Sequence, residues 1–382
     1  MPYLNVQNTR EASRVQKSQL VAEFTETLVR VLGKRTPNDR LPGSVRSSMI
    51  TRMKPLLLLL VGSLSIASAQ ELSGWYPHEG GLLQYRVGIR FGEEPDTMPD
   101  GWKFGRVSAV AVDRQGEVYV YQRGKKADPI VVFDAKGKYL RSWGKGLFGN
   151  PHGLRVDPQG KIWVTDNGDH QVMRFSPDGK LELTLGIKGK AATTPETFNR
   201  PTDVAFSPDG RHVYVSDGYG NARVVRFSYD GKYELTWGTP GKGPGQFNTV
   251  HNLAVDSAGE VYVSDRENNR IQIFSAEGKF RRMWKHLGAT QGIFITPKDE
   301  VWVVTHRNNI ENLTYDTLAG RIMRLDRKTG KILGAMESPG HWICVTPDNV
   351  IFIGSLTGNV FRWYPGWLSK GLGPDEGLAP RK

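Results

Sequence analysis

Between residues 100 and 364 the apolar side chains come in short alternating runs and not in stripes three or four residues apart. Ile162-Trp-Val-Thr-Asp166 and Gln171-Val-Met-Arg-Phe175 are two such runs, with Asp157-Pro-Gln-Gly160 before the first and Ser176-Pro-Asp-Gly179 after the second. Period-two alternation rich in Val, Ile, Tyr and Trp, punctuated by Gly-containing turns, predicts successive β-hairpins.

The pattern repeats. Val107-Ser-Ala-Val-Ala-Val-Asp113, Pro151-His-Gly-Leu-Arg-Val-Asp157, Pro201-Thr-Asp-Val-Ala-Phe-Ser207, Val250-His-Asn-Leu-Ala-Val-Asp256, Thr290-Gln-Gly-Ile-Phe-Ile-Thr296 and Gly340-His-Trp-Ile-Cys-Val-Thr346 are six versions of one strand, 40 to 50 residues apart. Six units of four antiparallel strands predict an all-β chain folded as a six-bladed β-propeller. A two-sheet sandwich would not explain six units. The last unit, Gly340 to Trp363, holds only three strands. Leu83-Gln-Tyr-Arg-Val-Gly-Ile-Arg90 is the predicted fourth, closing the ring and hiding an edge that would otherwise stay unpaired. With 44 Gly and 22 Pro in 382 residues, the composition supplies the turns this needs.

Charge and chain ends change the picture next. The chain carries 51 Lys+Arg against 39 Asp+Glu, a net of +12. Residues 49–69 combine a basic start at Met49 to Lys54, the apolar run Leu56 to Ile66 and the small-residue close Ala67-Ser-Ala69, which predicts a signal peptide cut after Ala69. The run is too short for a stable membrane span of roughly 20 residues. Residues 1–48 then read as a mis-assigned upstream extension, and 70–382 as a single propeller domain in a secreted or periplasmic chain. Half of the net charge sits in residues 1–69, and no long basic run remains after them, so no nucleic-acid partner is expected. A lone cysteine, Cys344, excludes internal disulfides and thiolate metal clusters.

One position in the repeat carries chemistry. Five residues before the Asp, Ser or Thr that closes each first strand stand Ser108, His152, Thr202, His251, Gln291 and His341. Histidine occupies alternate units, a third of a turn apart, on the strands that line the axis. Three imidazoles are therefore expected to converge in the channel as a metal site. Three neutral nitrogens without thiolate suit Zn²⁺ and leave a fourth coordination position for water or substrate. His78, His170, His212, His286 and His306 lack this relation and read as surface or loop residues. The links after the second strands, which carry Tyr219 and Arg266, fall on the histidine face, as does Arg106. A phenol and two guanidiniums beside an open metal point to an anionic substrate.

The Asp that ends Val-Thr-Asp166, Val-Ser-Asp217 and Val-Ser-Asp265 gives the chain a resemblance to NHL-repeat propellers from about 100 to 364. Pro151-His-Gly-Leu-Arg-Val-Asp157, Val215-Ser-Asp-Gly-Tyr219 and Asp265-Arg-Glu-Asn268 resemble, more narrowly, the peptidyl-α-hydroxyglycine α-amidating lyase family. That resemblance implies zinc on His152, His251 and His341, catalysis by Tyr219, Arg266 and Arg106, and cleavage of a C-terminal α-hydroxyglycine into a peptide amide and glyoxylate. The implied partner is a peptide or small molecule with a terminal carboxylate, met by a monomeric enzyme. An unperturbed phenol titrates near pH 10, so as a base Tyr219 would need positive charge nearby. Trp342 stands where the family has an Asp serving a structural Ca²⁺, so that calcium loses a ligand here; Pro339 and Gly220 replace a family Met and Cys. Two other readings remain: a non-catalytic NHL scaffold that binds on its top face, and a metal-dependent hydrolase or lyase acting on another acidic small molecule.

Overall fold

The computed structural model describes residues 83, 85–91, 98–307, 320–338 and 340–365. The predicted signal peptide, the upstream extension, His78 and Pro339 lie outside the described residues, as does the side chain of His306. The described residues fold as the six-bladed propeller. Blade 1 comprises Val107–Val112, Val118–Gln122, Ile130–Phe133 and Tyr139–Trp143, and blade 2 Pro151–Val156, Ile162–Asp166, Gln171–Phe175 and Leu181–Leu185. Blade 3 is built from Pro201–Phe206, His212–Asp217, Arg223–Ser228 and Tyr233–Trp237, and blade 4 from Val250–Val255, Val261–Asp265, Arg270–Phe274 and Phe280–Trp284. Blade 5 holds Ala289–Ile295, Val301–Arg307, Arg321–Leu325 and Ile332–Glu337. Trp342–Val345, Ile351–Gly354 and Val360–Pro365 form blade 6, and Tyr85–Phe91 completes it, pairing antiparallel with Val360–Pro365. The closing strand thus lies where the sequence puts it. Among the described residues no helix is long and apolar enough to cross a membrane.

Each first strand packs against the first strands of both neighbouring blades, and blade 6 returns to blade 1, so the six enclose the axis. Second strands such as Val118–Gln122 and Ile162–Asp166 are buried along their whole length, whereas outer strands such as Leu181–Leu185 are mostly exposed. Burial on both faces explains why the inner runs are nearly all Val, Ile, Trp and Tyr. Neighbouring blades also fit through their turns. Gly179 and Gly278, at φ of +90° and +78°, each place their backbone against an outer-strand indole of the preceding blade. A Cβ there would come within 2.8 Å of Trp143 and 2.7 Å of Trp237, so only glycine serves both the backbone angle and the contact.

On the axis itself lies a cation. Arg155, from blade 2, donates through Nη2 to Asp203 Oδ2 at 2.7 Å and through Nε to Asp203 Oδ1 at 3.1 Å. Its Nη2 also reaches Asn252 Oδ1 at 3.2 Å and the Ile293 carbonyl at 3.1 Å, and its Cζ lies 4.8 Å from the Trp342 ring centre. One guanidinium thereby joins blades 2, 3, 4, 5 and 6. Burial pushes the fully buried Asp203 carboxyl up in pKa, and Arg155 opposes that shift. Removing one member of such a pair leaves an uncompensated buried charge.

Arg155→Met is therefore expected to destabilise the fold by about 3–5 kcal/mol in denaturant titrations, and Arg155→Met with Asp203→Leu to recover part of that loss. Cys344, in the first strand of blade 6, is buried and its thiol is pushed up to about 11. It should stay silent toward a thiol reagent in the native protein at pH 8 and react once the chain is unfolded.

Candidate functional site

The geometry of the histidines starts from a defect in the ladders. In blade 1 Val107 pairs with Gln122 and Ala109 with Tyr121, which leaves Ser108 as an extra residue. Register shifts recur at the same place in blades 2 to 5, around His152, Thr202, His251 and Gln291. A bulge re-aims its side chain and leaves its backbone outside the ladder. The bulge carbonyls in odd blades find partners in the histidines of even blades. His152 Nδ1 lies 2.6 Å from the Thr202 carbonyl, His251 Nδ1 2.7 Å from that of Gln291, and His341 Nδ1 2.7 Å from that of Ser108. Since a carbonyl only accepts, each Nδ1 carries the proton and each Nε2 keeps its lone pair.

The three rings form a near-equilateral triangle, with centroids 4.9, 5.0 and 5.1 Å apart. One ligand nitrogen from each lies within 4.8 Å of the other two. All three side chains are buried. Burial first, then mutual repulsion and the charges of Arg123 beside His152 and Arg266 beside His251, hold these two imidazoles well below their ordinary range and hence neutral. Neutral imidazoles oriented through backbone acceptors are the form in which histidine binds a transition metal.

The loops above the triangle are built by the repeated aspartates. Asp217 accepts from Asn199 N, Asn221 Nδ2 and Arg223 Nε, and Asp265 from Asn248 N, Asn268 Nδ2 and Arg270 Nε. These carboxylates fix the links that carry Tyr219 and Arg266. Tyr219 Oη lies 3.1 Å from His152 Nε2 and 3.0 Å from His251 Nε2, and it accepts from Arg266 Nη1 at 3.2 Å. With Arg266 on a lone pair, the phenol proton points at a histidine nitrogen. Gly220 leaves room for Asn199, whose Cγ would be 2.1 Å from any Cβ there.

The structure brings His152, His251, His341, Tyr219 and Arg266 together as expected. Arg106 does not join them. Its side chain is exposed, and the blade 1 cation that acts on the cluster is Arg123, whose backbone N–H bonds the Arg106 carbonyl at 2.9 Å. Arg123 is half-buried, donates through Nε to the Pro151 carbonyl at 2.6 Å, and exerts its charge on His152. The repeat register could have found it, because Gln122 stands where blades 2, 3 and 4 have Asp166, Asp217 and Asp265, and Arg123 matches Arg266. Arg200 was also missed; its guanidinium carbon and that of Arg266 each lie 5.3 Å from the Tyr219 ring centre. Of the other described histidines, His170 and His212 are half-buried and His286 is exposed, and none of the three joins the triangle; His170 Nδ1 instead accepts from Arg200 N at 3.0 Å.

Beneath the triangle, Trp342 is fully buried, its ring 6.3 Å from those of both His341 and His152. The axial oxygens of Asp203, Asn252 and Ile293 already receive Arg155. An indole in place of a carboxylate and a guanidinium among the remaining oxygens do not fit a calcium ion.

Comparison with known proteins agrees with this architecture. The NHL repeat model matches residues 148–175, 198–227 and 247–274. Peptidyl-glycine alpha-amidating monooxygenase of Mus musculus is 36% identical over 268 residues, which are 62% of this chain and 27% of the mouse protein. The chain therefore spans about a quarter of that relative. NHL repeat-containing protein 3 of Homo sapiens is 30% identical over 289 residues, 65% of this chain and 80% of the human one. Peptidyl-alpha-hydroxyglycine alpha-amidating lyase 1 of Drosophila melanogaster is 32% identical over 226 residues, 48% of this chain and 40% of its own length. The chain belongs to the NHL-repeat β-propeller family, and within it is related to the peptidyl-α-hydroxyglycine α-amidating lyases.

Proposed function

We propose that the protein is a zinc-dependent lyase that cleaves the N–C bond of a peptidyl-α-hydroxyglycine-like carbinolamide, giving an amide and glyoxylate. One observation carries the reading: a phenol oxygen lies 3.0 and 3.1 Å from two Nε2 atoms of a three-histidine triangle, with a guanidinium donating to it. Names of the mouse and Drosophila relatives point the same way. Export through the 49–69 segment belongs to the same reading.

His152, His251 and His341 would hold the zinc through Nε2, a donor set of three neutral nitrogens that fits this ion and leaves a position open. Bound there, zinc supplies Lewis-acid activation of the substrate hydroxyl. Tyr219 stands at the same point and, in its phenolate form with Arg266 donating to the oxygen, accepts the hydroxyl proton. As that proton leaves, the hydroxyl-bearing carbon forms its carbonyl and the C–N bond breaks. The departing nitrogen takes up the proton from Tyr219, so the products are an unsubstituted amide and glyoxylate with nothing else consumed. Arg266 and Arg123 flank this point from blades 4 and 1 and hold the carboxylate that departs with glyoxylate. Buried walls of Trp342 and the three imidazoles keep bulk water from the reacting carbon.

Glyoxylate release from α-hydroxyhippurate tests the reading directly. The full chain should produce it, lose the activity on chelation and regain it with added Zn²⁺; zinc bound without glyoxylate would overturn the substrate class. Tyr219→Phe should lower kcat by about 10²-fold or more while the three histidines still bind zinc. Arg123→Gln should raise KM more than Arg106→Gln does, because the first guanidinium faces the cluster and the second faces solvent.

A further inference from the structure

Beside Arg123, on the histidine face, the link after the second strand of blade 1 and the connection from blade 1 to blade 2 border a second feature. A cavity of about 440 Å³ lies between the segment 122–129 and the segment 145–151, with Trp102 at its side. Pro151, the residue before His152, is part of its wall, and Arg123 reaches from this wall toward the histidines. The cavity therefore adjoins the reaction site.

Its charge is one-sided. Arg123, Lys125, Lys126 and Lys145 line it, against one carboxylate, Asp128, which already accepts from Ser142 Oγ at 2.7 Å. Asp169, next to Gly149, is paired with Lys188 at 3.1 Å. No carboxylate among the described residues makes an ion pair with Arg123, Lys125, Lys126 or Lys145. Trp102 and Phe148 add an apolar wall, and both are half-buried against the blade core. The loop shape is held independently of these cations: Gln122 Nε2 donates to the carbonyls of Ala127 at 2.9 Å and Asp128 at 3.1 Å, and its Oε1 accepts from Gly105 N at 2.9 Å. A rigid loop that presents several unpaired cations to a cavity is arranged for an anion.

A substrate carboxylate held by Arg266 and Arg123 needs none of the three lysines. We propose that this cavity is the subsite for the acyl part of the substrate and that it selects acyl groups bearing a second carboxylate, such as an Asp or Glu residue before the hydroxyglycine or a succinyl chain. The assignment of the reaction rests on the reading above; the anion subsite itself stands on the cavity and its charges.

The probes are N-succinyl-α-hydroxyglycine and N-butyryl-α-hydroxyglycine, alike in chain length and different in one carboxylate, with their unreactive N-succinylglycine and N-butyrylglycine counterparts for calorimetry. The full chain should prefer the succinyl member of each pair by about tenfold, the size expected for one charge-assisted contact, and the preference should shrink as salt is raised. Lys125→Gln with Lys126→Gln should bring the ratio close to one, through KM and not through kcat. Lys136→Gln with Lys138→Gln removes the same charge from the turn at the far end of blade 1 and should leave the ratio intact. Equal treatment of both probes by the unaltered protein, or equal loss in the two double variants, would overturn the subsite. A binding preference that follows the lysines without any glyoxylate would sustain the subsite and overturn the reaction.

Discussion

A bulged residue has a carbonyl that its own sheet does not use, and in this ring each such carbonyl in an odd blade accepts the Nδ1–H of a histidine from the blade before. The rest of the site depends on that exchange. It satisfies a buried backbone acceptor, fixes the imidazole tautomer, and turns each Nε2 toward the axis. Because the bulge recurs at one register in the first strands of blades 1 to 5, the three hydrogen bonds are copies of one another, at 2.6, 2.7 and 2.7 Å. A threefold set of nitrogens is thus a by-product of sixfold packing with histidine on alternate blades.

Two layers of charge are stacked on the same axis and treated in opposite ways. At the level of Trp342, Arg155 is enclosed by oxygens from three other blades, and a buried ion pair with so many partners is satisfied and holds the inner strands in register. Above the histidines, Arg123, Arg266 and Arg200 surround a phenol, and among the described residues only Arg266 of the three makes an ion pair, with the exposed Glu267. The imbalance leaves the mouth with an excess of positive charge, which disfavours further positive charge nearby. His152 and His251 stay neutral chiefly through burial, with the nearby guanidiniums acting in the same direction.

The repeated aspartates connect repeat architecture to chemistry. Asp166 gathers the N–H groups of Gly149, Asn150 and Gly168, while Asp217 and Asp265 gather the corresponding loops and a following arginine each. Blade 1 reaches the same end with Gln122, a neutral side chain that accepts on one side and donates on the other. Loops tied down this way can carry Tyr219 and Arg266, the latter at the start of the 3-10 turn Arg266–Asn268, at fixed positions without α-helices or disulfides among the described residues. Gly220 and Asn199, packed on one another, show how closely those loops approach.

The number of blades, the closing strand and the three histidines were legible in the chain because each is a periodic property: alternation gives strands, a 40 to 50 residue period gives blades, and one register gives the residues nearest the axis. Arg123 was as legible as Arg266 but hidden by Gln122, which breaks the Val-Ser-Asp pattern while doing the work of its aspartate. Arg155, Arg200 and the contact of Trp342 with the histidine rings were not legible at all, since their partners come from other blades. The sequence by itself determined the ring and which side chains line it, because local hydrogen bonding and burial are written in periods of two and of one blade. Only the tertiary structure decided which cations face the histidines and which are neutralised, because that depends on distances across the axis between residues up to 187 positions apart, as Arg155 is from Trp342.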